Sequence, residues 1–79
     1  MYYVYVIKSV KYLNRYIGNT DNIQKRIKEH NEGKSRYTSG RRPWVLIYQE
    51  GFETRGEVMK REKFLKTGQG RKYLDSILK

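Results

Sequence analysis

The chain has 79 residues, with 18 Lys plus Arg against 8 Asp plus Glu and no Cys. The missing Cys excludes a disulfide scaffold and a thiolate metal site, and a single His makes a zinc centre unexpected. The length supports one domain, residues 1–79, and the net charge of +10 points to a phosphate-rich partner, nucleic acid rather than membrane.

Tyr2 to Lys8 reads YYVYVIK, apolar on both alternating faces, which predicts a central strand covered on both sides. This apolar start is too short to span a bilayer and lacks a basic leader or cleavage site, so a cytoplasmic location is expected. Arg15 to Thr20, RYIGNT, predicts a second strand, joined to the first by an antiparallel hairpin turning near Leu13 and Asn14. Gly18 inside that strand marks a close approach of another backbone or of a ligand.

Asp21, with Gln24 three residues on, predicts a helix start. The helix runs to about Glu32 and stops at Gly33. Lys34 to Arg42 is a basic loop with room for one helical turn. Trp44 to Gln49, WVLIYQ, predicts a third strand. Thr54-x-x-Glu57 is a capping box opening a helix to about Lys66, which Gly68 and Gly70 break, and Arg71 to Lys79 predicts a short last helix. The fold class is α+β: a three-stranded antiparallel sheet flanked by helices, in the order β-β-α-β-α-α.

Both long helices interrupt their own apolar stripes. In the first, Ile23 and Ile27 set the inward arc; His30 lies about 20° from Ile23, with Arg26 about 40° further round, at the edge of the buried face. Taken alone, His30 also fits a helix-end histidine favouring the dipole, and Arg26 a basic surface residue. In the second, Val58, Met59 and Leu65 set the arc, and Glu62 falls inside it, about 40° from Val58. A carboxylate there calls for a cation, either a metal ion or a basic side chain.

Tyr3-Val4-Tyr5, followed after ten residues by Tyr16-Ile17-Gly18, resembles the paired signature of the GIY-YIG nuclease superfamily. Arg26, His30 and Glu62 follow in that family's order. The stretches KRIKEHN (Lys25 to Asn31), GRRPW (Gly40 to Trp44) and MKREK (Met59 to Lys63) are similar to those of its small, stand-alone bacterial members, akin to the N-terminal domain of excinuclease C. Tyr3 stands where the signature has Gly, Asn19 follows the second motif where an aromatic or small residue is common, and Gln69 is nearest to the C-terminal Asn of larger members. The resemblance implies a GIY-YIG-like fold over nearly the whole chain, with Tyr5, Tyr16, Arg26 and His30 as catalytic residues. It also implies that Glu62 holds one divalent cation, Mg²⁺ or Mn²⁺, and that Arg26 faces Glu62.

The activity so implied is metal-dependent hydrolysis of DNA, in repair or recombination, with little sequence preference. A Tyr base needs its pKa lowered by a nearby cation to work at neutral pH. Lys34, Arg36, Arg41, Arg42, Lys60, Lys63, Lys66, Arg71 and Lys72 are expected to grip flanking phosphates of DNA, or of RNA. A monomer is expected. The alternatives are a non-catalytic nucleic-acid-binding module with the same fold and a module for an acidic protein partner.

Overall fold

Strand β1, Tyr2–Ser9, is the middle of a three-stranded antiparallel sheet ordered β2-β1-β3, with β2 at Arg15–Thr20 and β3 at Trp44–Phe52. The computed structural model describes residues 1–78. Helix α1 covers Ile23–Asn31, a one-turn α2 covers Arg36–Ser39, and α3 and α4 cover Arg55–Leu65 and Gly68–Ile77. The architecture is the expected α+β order, with α2 as the helical turn inside the basic loop.

Alternation along β1 builds two cores, one on each face of the sheet. Val4 and Val6 are fully buried against Val58, Leu65 and Leu74 of α3 and α4. Tyr5 and Ile7 point the other way and pack with Trp44, Tyr16, Ile23 and Ile27, beneath α1. Burying Leu65 or Leu74 contributes about 2 kcal/mol each.

Three boundaries and one core residue differ from expectation. The α1 N-cap is Asn22, not Asp21: its side chain accepts from Lys25 N at 3.1 Å. Asp21 lies one position too early to reach the first free N–H groups of the helix. Strand β3 continues past Gln49 to Phe52 because Phe52 pairs with Tyr2 at the start of β1. Gly68 and Gly70 do not break the chain between helices; they form the first turn of α4, where Thr67 accepts from Gly70 N at 3.1 Å. Met59 is exposed rather than part of the α3 stripe, which is Val58 and Leu65 with Phe64 half-buried. The expected end of the last helix at Lys79 lies outside the described residues.

Gly70 is there for space. A Cβ at this position would sit 2.1 Å from the Phe64 carbonyl oxygen and 2.5 Å from Leu65 Cα, both main-chain atoms that cannot swing away. At Gly68 a Cβ would meet nothing within 4 Å. Gly70→Ala is therefore expected to destabilise the fold by about 2–4 kcal/mol, and Gly68→Ala to change stability by less than about 1 kcal/mol in either direction. Urea unfolding of the two variants checks this; equal effects would contradict close α3–α4 packing at Gly70.

Candidate nuclease site at the edge of β2

Register brings the signature residues together. Tyr5 pairs with Gly18 across β1 and β2, and Ile7 pairs with Tyr16. Directly paired residues share a face, so Tyr5, Tyr16 and the bare Gly18 lie on the α1 side. A Cβ at Gly18 would fall 2.6 Å from the Tyr5 hydroxyl and 2.9 Å from Cζ. The close approach at Gly18 is made by neither a backbone nor a ligand but by the Tyr5 ring, which passes over β2 and carries its hydroxyl toward the sheet edge.

His30 is deeper than expected. It is fully buried rather than at the margin of the α1 face. Its Nε2 lies 2.8 Å from the Tyr5 hydroxyl, and its Nδ1 lies 2.7 Å from Thr38 Oγ1. Burial first, then the charge of Arg26, lowers its pKa to about 4. It is therefore neutral at pH 7 and not a charged partner of the helix dipole.

Tyr5 is pushed up to about 12, chiefly by burial, with Tyr16 and Glu62 adding to the rise and Arg26 opposing it. The lowering that a neutral-pH tyrosine base requires is not supplied by this chain's own cations, because burial outweighs Arg26. Tyr5 thus keeps its proton and donates it to Nε2. Thr38 donates to Ser35 O at 3.4 Å, which leaves its oxygen to accept from Nδ1–H. Each donor of Tyr5, His30 and Thr38 then has an acceptor, the last being the Ser35 carbonyl, and this arrangement assigns His30 the Nδ1–H tautomer.

An aromatic wall supports this row. The Tyr16 ring lies 6.4 Å from Tyr5, 5.1 Å edge-on from His30, 5.6 Å from Tyr37 and 6.5 Å from Trp44, centroid to centroid. Trp44 Nε1 donates to Thr38 O at 2.9 Å. Asn31 accepts from Trp44 N at 2.6 Å and donates to Trp44 O at 3.1 Å, tying the end of α1 to the start of β3.

Glu62 reaches the site from the opposite face. Asn19, the β2 neighbour of Gly18, pairs with Val4 and so looks toward α3. Its Nδ2 donates to Glu62 Oε1, and Lys66 Nζ donates to Oε2 at 2.6 Å. The Glu62 side chain is 17% exposed. The cation expected against this carboxylate is thus present as the Lys66 ammonium. Arg26 does not pair with Glu62: its direct partner is Glu29, at 3.1 Å. Both Arg26 and Glu62 act on Tyr5 electrostatically, from the two sides of β2.

A hard oxygen pair on one carboxylate, in a place that already attracts a cation, fits a Mg²⁺-type ion, which commonly takes one or two carboxylates and completes its shell with water and phosphate. Among the described residues no cluster of three or more acidic, His or Cys side chains offers a richer cage.

Of the expected phosphate-gripping residues, Lys34, Arg36, Arg42, Lys60, Lys63, Lys66, Arg71 and Lys72 are exposed. Arg41 is half-buried, with its guanidinium 4.6 Å from the Tyr37 ring centroid. Lys66 and Arg71 share a cleft with Tyr16. Thr38, Asn19, Asn31 and Trp44 were not picked out as site residues from the sequence. Asn31 and Trp44 lie in the motif stretches KRIKEHN and GRRPW; Thr38 sits in a polar loop and carries no sequence signal.

The buried neutral His30 has a consequence for stability. A His pKa of about 4 in the fold, against 6.5 when unfolded, means the unfolded chain binds the extra proton first. The stability it contributes is complete above pH 6.5 and is lost as pH falls toward 4. Between pH 7 and 4.5 the wild type should lose on the order of 2–3 kcal/mol more than His30→Gln. Parallel pH–stability curves for the two proteins would contradict the burial account.

Comparison with known proteins agrees with this geometry. The family model for the GIY-YIG catalytic domain matches residues 1–74. The UPF0213 protein of Staphylococcus haemolyticus is 48% identical over 67 residues, covering 84% of this chain and 80% of its own. That of Staphylococcus saprophyticus is 43% identical over 77 residues, covering 96% and 93%. The solution NMR structure of the UPF0213 protein BH0048 from Bacillus halodurans superposes with a TM-score of 0.58 at 33% identity, covering 98% of this chain and 85% of that one. The chain belongs to the GIY-YIG family, and residues 1–74 are its nuclease-type catalytic domain.

Proposed function

We propose that this protein is a divalent-metal-dependent endonuclease that hydrolyses DNA phosphodiester bonds with little sequence preference, acting from the cytoplasm in repair or recombination. The observation that carries the reading is the Tyr5–His30 hydrogen bond, 2.8 Å long and buried, whose tyrosine end points to the same strand edge as Glu62. A tyrosine used only for packing needs no buried neutral histidine beside it.

Glu62 is the residue that holds Mg²⁺ or Mn²⁺; the ion supplies Lewis-acid polarisation of the phosphate. Tyr5 orients the attacking water and accepts its proton as its own proton passes to His30 Nε2. No free phenolate forms; the cost falls on His30, and phosphate bound against Arg26 removes part of the positive charge that holds the His30 pKa down. Thr38 holds the His30 ring in the tautomer that keeps Nε2 open. Arg26 meets the scissile phosphate, whose developing charge a guanidinium matches in shape, while Glu29 fixes its approach. Tyr16 walls the water position. The exposed cations Lys34, Arg36, Arg42, Lys60, Lys63, Lys66, Arg71 and Lys72, with the half-buried Arg41, hold flanking phosphates, which positions the strand without reading bases.

A second reading, a non-catalytic nucleic-acid-binding module of the same fold, is favoured by one contact: the Lys66 ammonium already neutralises Glu62. Cleavage decides between the two. With Mg²⁺ or Mn²⁺ the wild type should cleave DNA, and Glu62→Ala and Arg26→Ala should each cut the rate by at least about 100-fold with melting temperatures near wild type. His30→Gln, which can accept from Tyr5 but not take up its proton, should fall by about 10- to 1,000-fold. Equal cleavage by wild type and Glu62→Ala would assign the activity to a contaminant and leave the binding module.

A further inference from the structure

A cleft of about 520 Å³ continues from the site along β2 toward the hairpin turn, with Tyr16, Ile17, Leu13, Tyr37, Lys66 and Arg71 in its walls. Its chemistry differs from that of the surrounding basic surface. Leu13 is 67% exposed and Tyr37 48% exposed, so neither is explained by core packing. Leu13 also has a φ of +64°, a left-handed conformation uncommon for a branched apolar side chain, held by its N–H donating to Ser9 O at 2.9 Å. Tyr37 is braced rather than loose: Arg41 lies 4.6 Å from its ring centroid and donates to its carbonyl at 3.0 Å. The chain thus holds two apolar groups in water at the mouth of a cleft that opens next to Tyr16.

We infer that this cleft takes one unpaired base of the DNA, adjacent to the phosphate held at Arg26, so that the preferred substrate is single-stranded, frayed or branched rather than continuous duplex. The inference rests on the nuclease reading for what binds at the edge of β2. A continuous duplex keeps its base faces in the stack and offers a protein surface only phosphate, sugar and groove edges. Such a surface has nothing to place against Leu13, Ile17 and Tyr37. An unpaired base offers a flat π-face to Tyr37 and apolar contact to the leucine, with phosphates on either side. Lys66 and Arg71 stand in the same cleft to meet those phosphates. The carboxylate of Asp75, also in the wall, is paired with Arg15, so it does not repel them.

The test is a titration of the full chain, in EDTA to silence metal-dependent cleavage, against a single strand carrying 2-aminopurine and against a blunt duplex of equal length. Wild type should quench the single strand on binding. Tyr37→Ala and Leu13→Gly should each weaken single-strand binding about tenfold and duplex binding by less than about twofold. Leu13→Gly suits the positive φ, so its melting temperature should match or exceed wild type and a folding defect is not the cause. Equal weakening for both DNA forms, or no quenching by wild type, overturns the inference. A parallel cleavage assay separates the two readings. Cleavage without strand discrimination removes the cleft and keeps the nuclease; discrimination without cleavage does the reverse.

Discussion

The site depends on one hydrogen bond, from the Tyr5 hydroxyl to His30 Nε2. A tyrosine on the central strand of a sheet would ordinarily end in apolar packing. Here Gly18 removes the side chain that would block it, and the ring crosses β2 to meet a histidine from α1. The bond joins the sheet to the helix, and Thr38 extends it into the basic loop. Burial is what gives it a direction. It disfavours charge on both groups, holding Tyr5 protonated and His30 neutral, so the shared proton rests on the Tyr5 oxygen.

The second constraint is that β2 is an edge strand. Side chains on opposite faces of a central strand cannot converge. At an edge they can, and the chain uses this. Tyr5, Tyr16 and His30 come from the α1 side, while Asn19 and Glu62 come from the α3 side. The edge also leaves the neighbouring cleft open to solvent, with Lys66 belonging to both, as partner of Glu62 and as part of the cleft wall. Attraction of phosphate by the net charge of +10 is long-ranged and unspecific; placement within a few ångströms of Tyr5 falls to these edge residues.

Much of this was legible in the sequence. The two-faced apolar pattern of Tyr2 to Lys8 identified the central strand because a strand covered on both sides leaves no polar alternation. Thr54 and Glu57 announced α3 because a capping box satisfies two helix-end donors at once, and both bonds form. Glu62 stood out because a carboxylate inside an apolar arc needs a partner. What was not legible depended on neighbours distant in sequence. Gly68 and Gly70 read as breakers, since helix propensity cannot show that the Phe64 carbonyl would occupy the place of a Cβ. Met59 read as core, since helical phase alone does not say how far the apolar cover of α3 reaches. Asn19 read as a departure from a familiar motif, yet it is the residue that holds Glu62 from β2. The tyrosine pKa ran against the requirement stated from charge alone, because the depth of burial is a property of the fold.

The central claim is that His30 is a neutral, Nδ1-protonated ring whose Nε2 accepts the hydrogen bond of the Tyr5 hydroxyl. Side-chain ¹⁵N NMR of His30 across pH measures this directly. The expected result is the Nδ1–H tautomer at neutral pH, with protonation of the ring only as pH falls to about 4. An Nε2–H tautomer, or a His30 that titrates near its ordinary value of 6.5, would contradict it.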